Sequence, residues 1–478
     1  MTGAAAPSPP PVRWGLPLAV LIVGMFMSVL DVSIVNVAIP TIQKDFGATT
    51  DDVQWVATGY SLALGVVVPL SGWLGDKLGM ARVYNVALLA FAAGSALCGL
   101  AWDLNSMVAF RIVQAVPGGI LPVMTLSMVY RIVPKQKIGA AMGMYGFGIV
   151  FAPAIGPTLG GYLVEYVDWR LIFFINVPVG LIGFVAALVV LPAFPAGRAG
   201  RFDLPGFLAI SSGLFALLLA LSEGASWGWD SYRILMLFTY SGLALALFVV
   251  IELEVEEPLL DVRVFRYWPF TNSLLLIAVL SVGLFGVLFY VPLLLQQAQH
   301  LGAFETGLVL FPQALVMGLL MPISGRLYDR IGPRVPASVG LLILATGGTY
   351  LLHNLTVDAP RAHVMGLLAF RAVGMGLAMM PIMTGGLAVI PPELVSRASA
   401  FNNVVQRSVA ALGLAVLTVM LTSQRAHALQ RLPPPGRRVH RTGRGLPCRA
   451  GGCVPARARR GLPRALTGLR ADRYPHRR

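Results

Sequence analysis

Charged residues are scarce in this chain: Asp, Glu, Lys and Arg make up only 12% of its 478 residues, whereas apolar residues make up 56%. A soluble domain of this length could not bury so much apolar surface, which excludes an ordinary soluble protein. The composition predicts an all-α polytopic membrane protein. Residues 1–13 are rich in proline and alanine, and the apolar run after them is too long for the core of a cleavable signal peptide.

Cysteine is rare as well, and patterns typical of catalysis or metal binding are missing. Cys98 lies in an apolar run, whereas Cys448 and Cys453 have a C-x4-C spacing without the further ligands that a zinc site needs. The sequence contains no Gly-x4-Gly-Lys-Ser/Thr phosphate loop and no recognisable nucleophile–base set. We therefore expect no metal, no cofactor, no ATP coupling and no enzymatic activity.

The net charge of +15 suggests nucleic-acid binding until the charge is located. Residues 425–478 contain fifteen arginines and one acidic residue, Asp472, so the rest of the chain is nearly neutral and no nucleic-acid partner is expected. This tail is dominated by Arg, Ala, Gly and Pro and has no run that could cross a bilayer. It is interpreted either as a frameshifted or truncated end after about residue 424, or as a disordered basic tail that binds anionic lipid.

Thirteen apolar runs of about 18–25 residues are each long enough to cross a hydrocarbon layer of ~30 Å. They cover 15–39, 53–74, 82–101, 105–130, 138–162, 171–192, 204–222, 233–251, 271–295, 306–327, 335–353, 363–390 and 401–423. Basic residues in the loops after even-numbered spans outnumber those in the other loops by about three to one, which predicts a cytoplasmic N-terminus. A tail after thirteen spans would then lie outside, which favours the frameshifted or truncated interpretation.

A repeated turn divides the spans into two related halves. The pattern Gly72-Trp-Leu-Gly-Asp76-Lys-Leu-Gly79 recurs as Gly325-Arg-Leu-Tyr-Asp329-Arg-Ile-Gly332, and Ala109-Phe-Arg111 recurs as Ala369-Phe-Arg371. The offsets predict a cytoplasmic segment at 1–14, a six-helix unit at 15–192 and two inserted helices with linkers at 193–270. A second unit at 271–424 then has five helices and lacks its last one, and the tail follows at 425–478.

Two charged residues lie inside apolar spans, where an ionisable group is costly and should face the protein interior or water. Asp31 in the first span lies about 13 Å from the outer end, and Arg111 in the fourth lies about 9 Å from it. A guanidinium at this depth could hold Asp31 ionised, and its departure would favour proton uptake. The alternatives are a hydrogen-bonded packing aspartate and an arginine that extends to the outer interface.

Four segments resemble motifs of the major facilitator superfamily, and specifically of its fourteen-span drug:proton antiporter branch. Span one contains Leu30-Asp31-Val-Ser-Ile-Val-Asn36-Val-Ala-Ile-Pro40, and span four contains Arg111-Ile-Val-Gln114, which is similar to R-x-x-Q-G with alanine at the glycine position. The repeated turn is the third segment. The fourth is the Gly/Pro-rich run from Gly148 to Gly161 in span five, which is similar to the motif that distinguishes exporters.

The resemblance implies a major facilitator fold of two six-helix units with two inserted helices, and it assigns roles to particular residues. Asp31 and Arg111 would couple transport to protons, and Asn36 and Gln114 would line the substrate cavity. The exporter motif would comprise Pro153, Gly156, Pro157, Gly160 and Gly161. The cytoplasmic gate would comprise Gly72, Asp76, Gly79, Arg82, Arg131, Gly325, Asp329, Arg330 and Gly332, with Arg131 as the partner of Asp76.

The function expected from the resemblance is proton-coupled export of drugs or amphipathic metabolites, including cationic ones, by alternating access in the inner membrane. The partners would be these small molecules, protons and the lipid bilayer, and the chain would be a monomer that uses the proton gradient instead of a cofactor. Two alternatives remain: a non-functional truncated transporter product, and a membrane sensor or scaffold on a transporter fold.

Overall fold

The computed structural model describes residues 14–192, 194, 201–297, 299, 301–349, 359–391 and 393–430, and all regular elements among them are helices. The first seven helices are α1 Gly15–Asp45, α2 Thr50–Leu78, α3 Met80–Gly99, α4 Leu104–Ile132, α5 Ile138–Tyr166, α6 Leu171–Phe174 and α7 Asn176–Val190. The others are α8 Leu204–Trp227, α9 Tyr232–Glu254, α10 Trp268–Gln297, α11 Ala303–Ile331, α12 Arg334–Ile343, α13 Arg361–Leu387 and α14 Val395–Gln430.

Twelve of these helical segments within the described residues are long and apolar enough to span a membrane, with α6 and α7 forming one span. This confirms the prediction of an all-α polytopic protein. The predicted span 335–353 is described only as far as Thr349, as the shorter apolar helix Arg334–Thr346. Predictions for residues 431–478, including Cys448 and Cys453, lie outside the described part of the chain.

Local sequence signals determine where the helices near the site begin and end. The side chain of Asp103 accepts a hydrogen bond of 2.7 Å from the backbone N–H of Ser106 and so fixes the first turn of α4. Hydrogen bonds from Ser106 lower the pKa of the Asp103 carboxyl. Both copies of the repeated turn end their helix with a glycine at positive φ, 87° at Gly79 and 79° at Gly332, a conformation that favours glycine. The repeat is therefore also a structural one.

The inserted helices α8 and α9 pack against each other and against α2. Ser241 Oγ of α9 donates to the carbonyl oxygen of Gly213 in α8 at 2.9 Å, and Ser211 Oγ of α8 donates to the carbonyl oxygen of Val66 in α2 at 3.1 Å. We call α1–α7 the first helix group and α10–α14 the second. The end of the helices at which Gly79 and Gly332 lie is called the turn end.

Candidate functional site

The charged centre of the first helix group is an ion pair between Asp31 of α1 and Arg111 of α4. Arg111 Nη1 lies 2.5 Å from Asp31 Oδ2, and the two side chains are 1% and 0% exposed. The structure therefore places together the two residues that the depth argument placed at similar heights. A buried ion pair of this kind is stable only when further hydrogen bonds satisfy its remaining donors and acceptors.

Amide side chains satisfy the second oxygen of the Asp31 carboxylate. Gln114 Nε2 donates to Asp31 Oδ1 at 3.0 Å, and Asn176 Nδ2 of α7 approaches the same oxygen at 3.3 Å. Both amides also contact Ser95 Oγ of α3, at 2.5 Å and 3.1 Å respectively. Helices α3, α4 and α7 thus supply the polar groups around a carboxylate that α1 carries.

The guanidinium of Arg111 is held from three sides besides Asp31. Its Nη1 donates to Gln114 Oε1 at 2.6 Å, and its Nε donates to the backbone carbonyl oxygen of Val56 in α2 at 3.3 Å. Its central carbon lies 3.8 Å from the ring centroid of Tyr60, a cation–π contact that suits a desolvated arginine. Arg111 therefore does not extend to an interface: it is fixed inside the helix group.

Glycine makes this network possible by allowing α3 and α4 to approach closely. A Cβ atom on Gly94 would lie 3.0 Å from both Cα and Cβ of Gln114, so any larger residue would push α3 and α4 slightly apart. Because Gln114 stands one turn after Arg111 on α4, this approach brings both side chains to the α1–α3 side of the helix. Position 94 thus fixes the distance between the amide and Ser95.

Protonation of Asp31 would change the hydrogen bonds of this network. Every group that contacts its oxygens is a hydrogen-bond donor: the Arg111 guanidinium and the Gln114 and Asn176 amides. A protonated carboxyl is itself a donor, so its O–H would need an acceptor that none of these three donor groups provides at its present contact. Neutral Asp31 would also leave the buried charge of Arg111 without its counter-ion. A proton on Asp31 would therefore disturb the contacts of the surrounding side chains.

The Gly/Pro-rich segment of α5 packs directly on α1 beside Asp31. Ser33 Oγ donates to the carbonyl oxygen of Pro153 at 3.0 Å. A Cβ atom on Gly156 would lie 2.7 Å from Ser33 Cβ, and one on Gly160 would lie 2.8 Å from Ile34 Cγ1. The small residues therefore let α5 lie against the turn of α1 that follows the aspartate.

At the turn end, the second copy of the repeated turn joins α11 to the start of α5. The carboxylate of Asp329 accepts hydrogen bonds from the backbone N–H groups of Gly139 and Ala140, at 2.7 Å and 2.9 Å. These N–H groups have no partner within the helix, and the helix dipole favours a negative charge there. Asp329 thus caps a helix that belongs to the other helix group.

Glycine again allows the close approach at this contact. A Cβ atom on Gly139 would overlap the carbonyl oxygen of Gly325, and one on Gly143 would lie 2.7 Å from Pro322 Cα. Higher on the same two helices, a Cβ atom on Gly307 would lie 3.7 Å from Thr158 Oγ1. The two helix groups are therefore most tightly packed at the turn end.

The first copy of the turn makes the corresponding but looser contact with α14. A Cβ atom on Gly72 would lie 3.7 Å from the backbone nitrogen of Arg397, at the start of α14. Asp76 forms an ion pair with Arg131 at 3.8 Å, the partner expected from the sequence, and the two side chains are 22% and 31% exposed. Arg397 is a further cation close enough to interact electrostatically with Asp76, and sequence reasoning did not assign it to the gate.

This asymmetry predicts different losses of stability for the two aspartates. We expect Asp329→Asn to lower the unfolding temperature of the purified chain clearly, because hydrogen bonds to a charged group are worth about 1.5–3 kcal/mol. Asp76→Asn should lower it little, because a partly exposed ion pair is worth about 0–1 kcal/mol. Equal shifts for the two variants, measured by thermal unfolding in one detergent, would contradict the assignment of Asp329 as the stronger contact.

The remaining site residues predicted from the sequence differ in how deeply they are buried. Gln114, expected in a substrate cavity, is completely buried in the Asp31 network, whereas Asn36 is exposed. Arg82 and Arg330 are exposed next to the turns, and Gly161 has no neighbour within 4 Å of a Cβ atom placed on it. Sequence reasoning did not assign Ser95, Asn176 or Tyr60 to the site. A single Ser or Tyr in a span is too common to be a signal, and Asn176 stands out only as part of the Asn176-Val-Pro178 run of span six.

Comparison with known proteins identifies the architecture. The sequence model of the Major Facilitator Superfamily matches residues 21–414, which is most of the chain. The chain belongs to the Major Facilitator Superfamily. It is therefore a multi-pass membrane protein of a transporter family.

Relatives of this superfamily member include proteins named for drug resistance. It is 34% identical over 412 residues to the "Multidrug resistance protein B homolog" of Mycobacterium tuberculosis, a match that covers 86% of this chain and 76% of that protein. It is 35% identical over 416 residues to the "Tetracenomycin C resistance and export protein" of Streptomyces glaucescens, again covering 86% and 76%.

A solved superfamily structure has the same fold. The proton:xylose symporter XylE superimposes with a TM-score of 0.60 over 87% of this chain and 90% of XylE, at 13% identity. At this level of identity the likeness concerns the fold alone. The two helix groups described above are thus the two halves of a major facilitator fold.

Proposed function

We propose that this superfamily member is a proton-coupled exporter of small amphipathic compounds, of the fourteen-span drug:proton antiporter branch, working as a monomer in the bacterial inner membrane. The turn end and the N-terminus face the cytoplasm in this proposal. The observation that carries it is the fully buried Asp31–Arg111 ion pair in an apolar helix group. An ionisable pair in this environment marks a proton or substrate pathway more often than a purely structural contact.

The proton step follows from the hydrogen bonds of the network. With Asp31 ionised, Arg111 Nη1 bridges Asp31 Oδ2 and Gln114 Oε1. A proton that enters on Asp31 removes the charge attraction, and the guanidinium then keeps only Gln114, the Val56 carbonyl and the ring of Tyr60. Arg111 is on α4, so a shift of its side chain changes the contacts of α1 and α2 together.

Helix α5 provides a physical connection from the proton site to the turn end. Its middle part packs on Ser33 and Ile34, just after Asp31. Its first residues donate backbone hydrogen bonds to the capping carboxylate of Asp329. The residues from Gly139 to Gly160 span about 32 Å at 1.5 Å per residue. A displacement of α1 against α5 is thus transmitted by a continuous helix to the contact that closes the cytoplasmic side.

The energy source in this proposal is the proton gradient. Each proton that crosses a potential of 100 mV releases about 2.3 kcal/mol, and a pH gradient adds to this value. Among the described residues no group of three or more His, Cys, Asp or Glu side chains could hold a metal ion. In this proposal the coupling is assigned to Asp31 and Arg111, which form the buried ion pair.

The direct test is dye efflux from energised bacteria that carry this chain or an empty vector. Two dyes of opposite charge, ethidium and 8-anilinonaphthalene-1-sulfonate, cover cationic and anionic substrates. We expect uncoupler-sensitive efflux of at least one dye above the vector level. Efflux that persists after an uncoupler has collapsed the gradient would contradict proton coupling.

A second candidate is a chain that inserts into the membrane and does not transport. The fifteen arginines against one acidic residue in 425–478 favour it, because this composition is foreign to the spans of a transporter. Membrane expression equal to that of a working exporter, together with vector-level efflux of both dyes, would support this candidate. A sensor or scaffold would instead be indifferent to the loss of Asp31.

A further inference from the structure

Within the described spans, four side chains of Asp, Glu, Lys, Arg or His lie about two helical turns or more from either end. They are Asp31, Arg111, Arg371 and Arg407. Asp31 neutralises Arg111, which leaves two cations without an acidic partner among these four. An uncompensated charge at this depth is costly, so each of the two needs an explanation.

Arg371 is explained by the second helix group itself. Its side chain is 4% exposed, and its Nη2 donates to the backbone carbonyl oxygen of Gly283 in α10 at 2.6 Å. A Cβ atom on Gly283 would lie 3.2 Å from the same nitrogen, so glycine leaves room for the guanidinium. Arg371 therefore fastens α13 to α10.

Arg407 on α14 is different, because within the described part of the chain it forms neither a hydrogen bond nor an ion pair. It stands ten residues after Arg397, which places it about 15 Å from the turn end, near the middle of the span. Its side chain is only partly buried. The guanidinium thus keeps its donors available at the depth where a transported molecule must pass.

The surroundings of Arg407 combine apolar walls with a few hydroxyl groups. It borders a crevice whose other walls are Gly65 and Val68 of α2, Leu214 and Leu218 of α8, and Val404 and Ser408 of α14. Tyr60 and Tyr145 lie close enough to interact with it electrostatically. An apolar pocket with one charge and a few convergent polar groups is the usual form of a small-molecule site.

We propose that Arg407 binds the acidic group of the exported compound, so that the chain carries amphipathic carboxylic acids whose apolar part contacts the side chains of the crevice once its walls have separated. The planar guanidinium matches the two oxygens of a carboxylate, and its weak hydration suits a site inside the membrane. The inserted helix α8 then contributes a wall of the substrate site. This inference rests on the proposed function and names its substrate class.

The crevice beside Arg407 has a volume of only about 10 Å³, about one water molecule, so it holds no substrate as it stands and one enters only after the walls separate. The direction of charge movement agrees with this assignment. Export of an anion against entering protons moves charge in the direction favoured by a negative cell interior, on both legs of the cycle. The ring of Tyr60 contacts Arg111, and Tyr60 also lies close enough to Arg407 to interact with it electrostatically. The proposed acid site at Arg407 is therefore close to the proposed proton site at Asp31 and Arg111.

The test measures binding without depending on transport. The purified full chain is unfolded thermally in the presence of octanoate, octylammonium or octanol, which share an alkyl chain and differ in the head group. We expect octanoate alone to raise the unfolding temperature. Arg407→Gln should weaken the apparent affinity for octanoate at least tenfold, and Arg407→Lys should keep part of it. Arg266→Gln, an exposed arginine in the linker before α10, is the matched control and should bind like the unaltered chain.

Each outcome decides the inference. Stabilisation by octylammonium or octanol equal to that by octanoate, no stabilisation by octanoate, or equal stabilisation of the Arg407→Gln variant would overturn it. Since Arg407→Gln could impair folding, its unfolding temperature without ligand and the Arg407→Lys variant are measured alongside. Octanoate-specific binding together with efflux that ignores the uncoupler would leave the acid site standing and remove only the proposed proton coupling.

Discussion

Asp31→Asn is expected to reduce efflux of the exported dye to the level of the empty vector. Asparagine keeps the volume of the side chain and one oxygen for the Gln114 and Asn176 amides, but it can neither carry the charge nor take up the proton. The change also leaves Arg111 buried without its counter-ion, which costs about 3–5 kcal/mol when one partner of a buried pair is removed. Efflux in energised cells is the measurement, normalised to membrane expression.

A double variant separates proton coupling from stability in this experiment. Asp31→Asn with Arg111→Gln removes both charges, so we expect the unfolding temperature to recover at least in part while efflux stays absent. Asp230→Asn, in the exposed loop after α8, is the matched carboxylate-to-amide control and should export normally. Wild-type rates in the single Asp31→Asn variant would refute the role of Asp31 and would favour a sensor or scaffold.

Gly139→Ala is expected to prevent tight closure at the turn end. The added Cβ atom would overlap the carbonyl oxygen of Gly325 and would lie 2.6 Å from Asp329 Oδ1 and 2.7 Å from Tyr328 Cδ1. Because backbone atoms cannot give way as a flexible side chain does, we expect an overpacking cost of about 1–3 kcal/mol and a several-fold loss of efflux. Met321→Cys, at the same interface, should react several-fold faster with a maleimide when combined with Gly139→Ala.

Gly242→Ala, in the middle of α9, provides the control. It makes the same chemical change inside a helix, with a gain in helix propensity of about 1 kcal/mol, and a Cβ atom there has no neighbour within 4 Å. We expect unchanged efflux and an unchanged or slightly higher unfolding temperature. If the two glycine variants behave alike, the effect comes from helix propensity and not from the α5–α11 contact. The reactivity measurement is made in a background that lacks the native cysteines.

The outlines of the fold were predictable because the membrane limits what a sequence can do. Long apolar runs must form helices in lipid, so thirteen spans could be marked without knowing how they pack, and twelve of them match helices of the described residues that are long enough to cross a membrane. Asp31 and Arg111 were visible for the same reason, since a charge is conspicuous in an apolar run. Their similar depth followed from counting residues along two helices that run in opposite directions. Arg407 carried the same signal, and sequence reasoning did not use it.

The partners of these residues were not predictable, because they depend on which helices meet. Ser95 and Asn176 belong to the site only because α3 and α7 pack around Asp31. The two turn copies share four of eight residues, including the aspartate, yet Asp329 caps a helix at 2.7 Å whereas Asp76 has an ion pair at 3.8 Å. No pattern within either turn predicts this difference.

The sequence by itself determined the class of the protein, the positions of most spans, the internal repeat and the two charges that occupy the first helix group. These follow from the cost of exposing polar groups to lipid, which acts on each residue separately. Only the tertiary structure decided which donors contact Asp31, which helix start each turn approaches and which mid-span arginine forms neither a hydrogen bond nor an ion pair among the described residues. These properties depend on distances between segments that are far apart in the chain, and glycine contacts of about 3 Å or less, as at Gly94, set those distances.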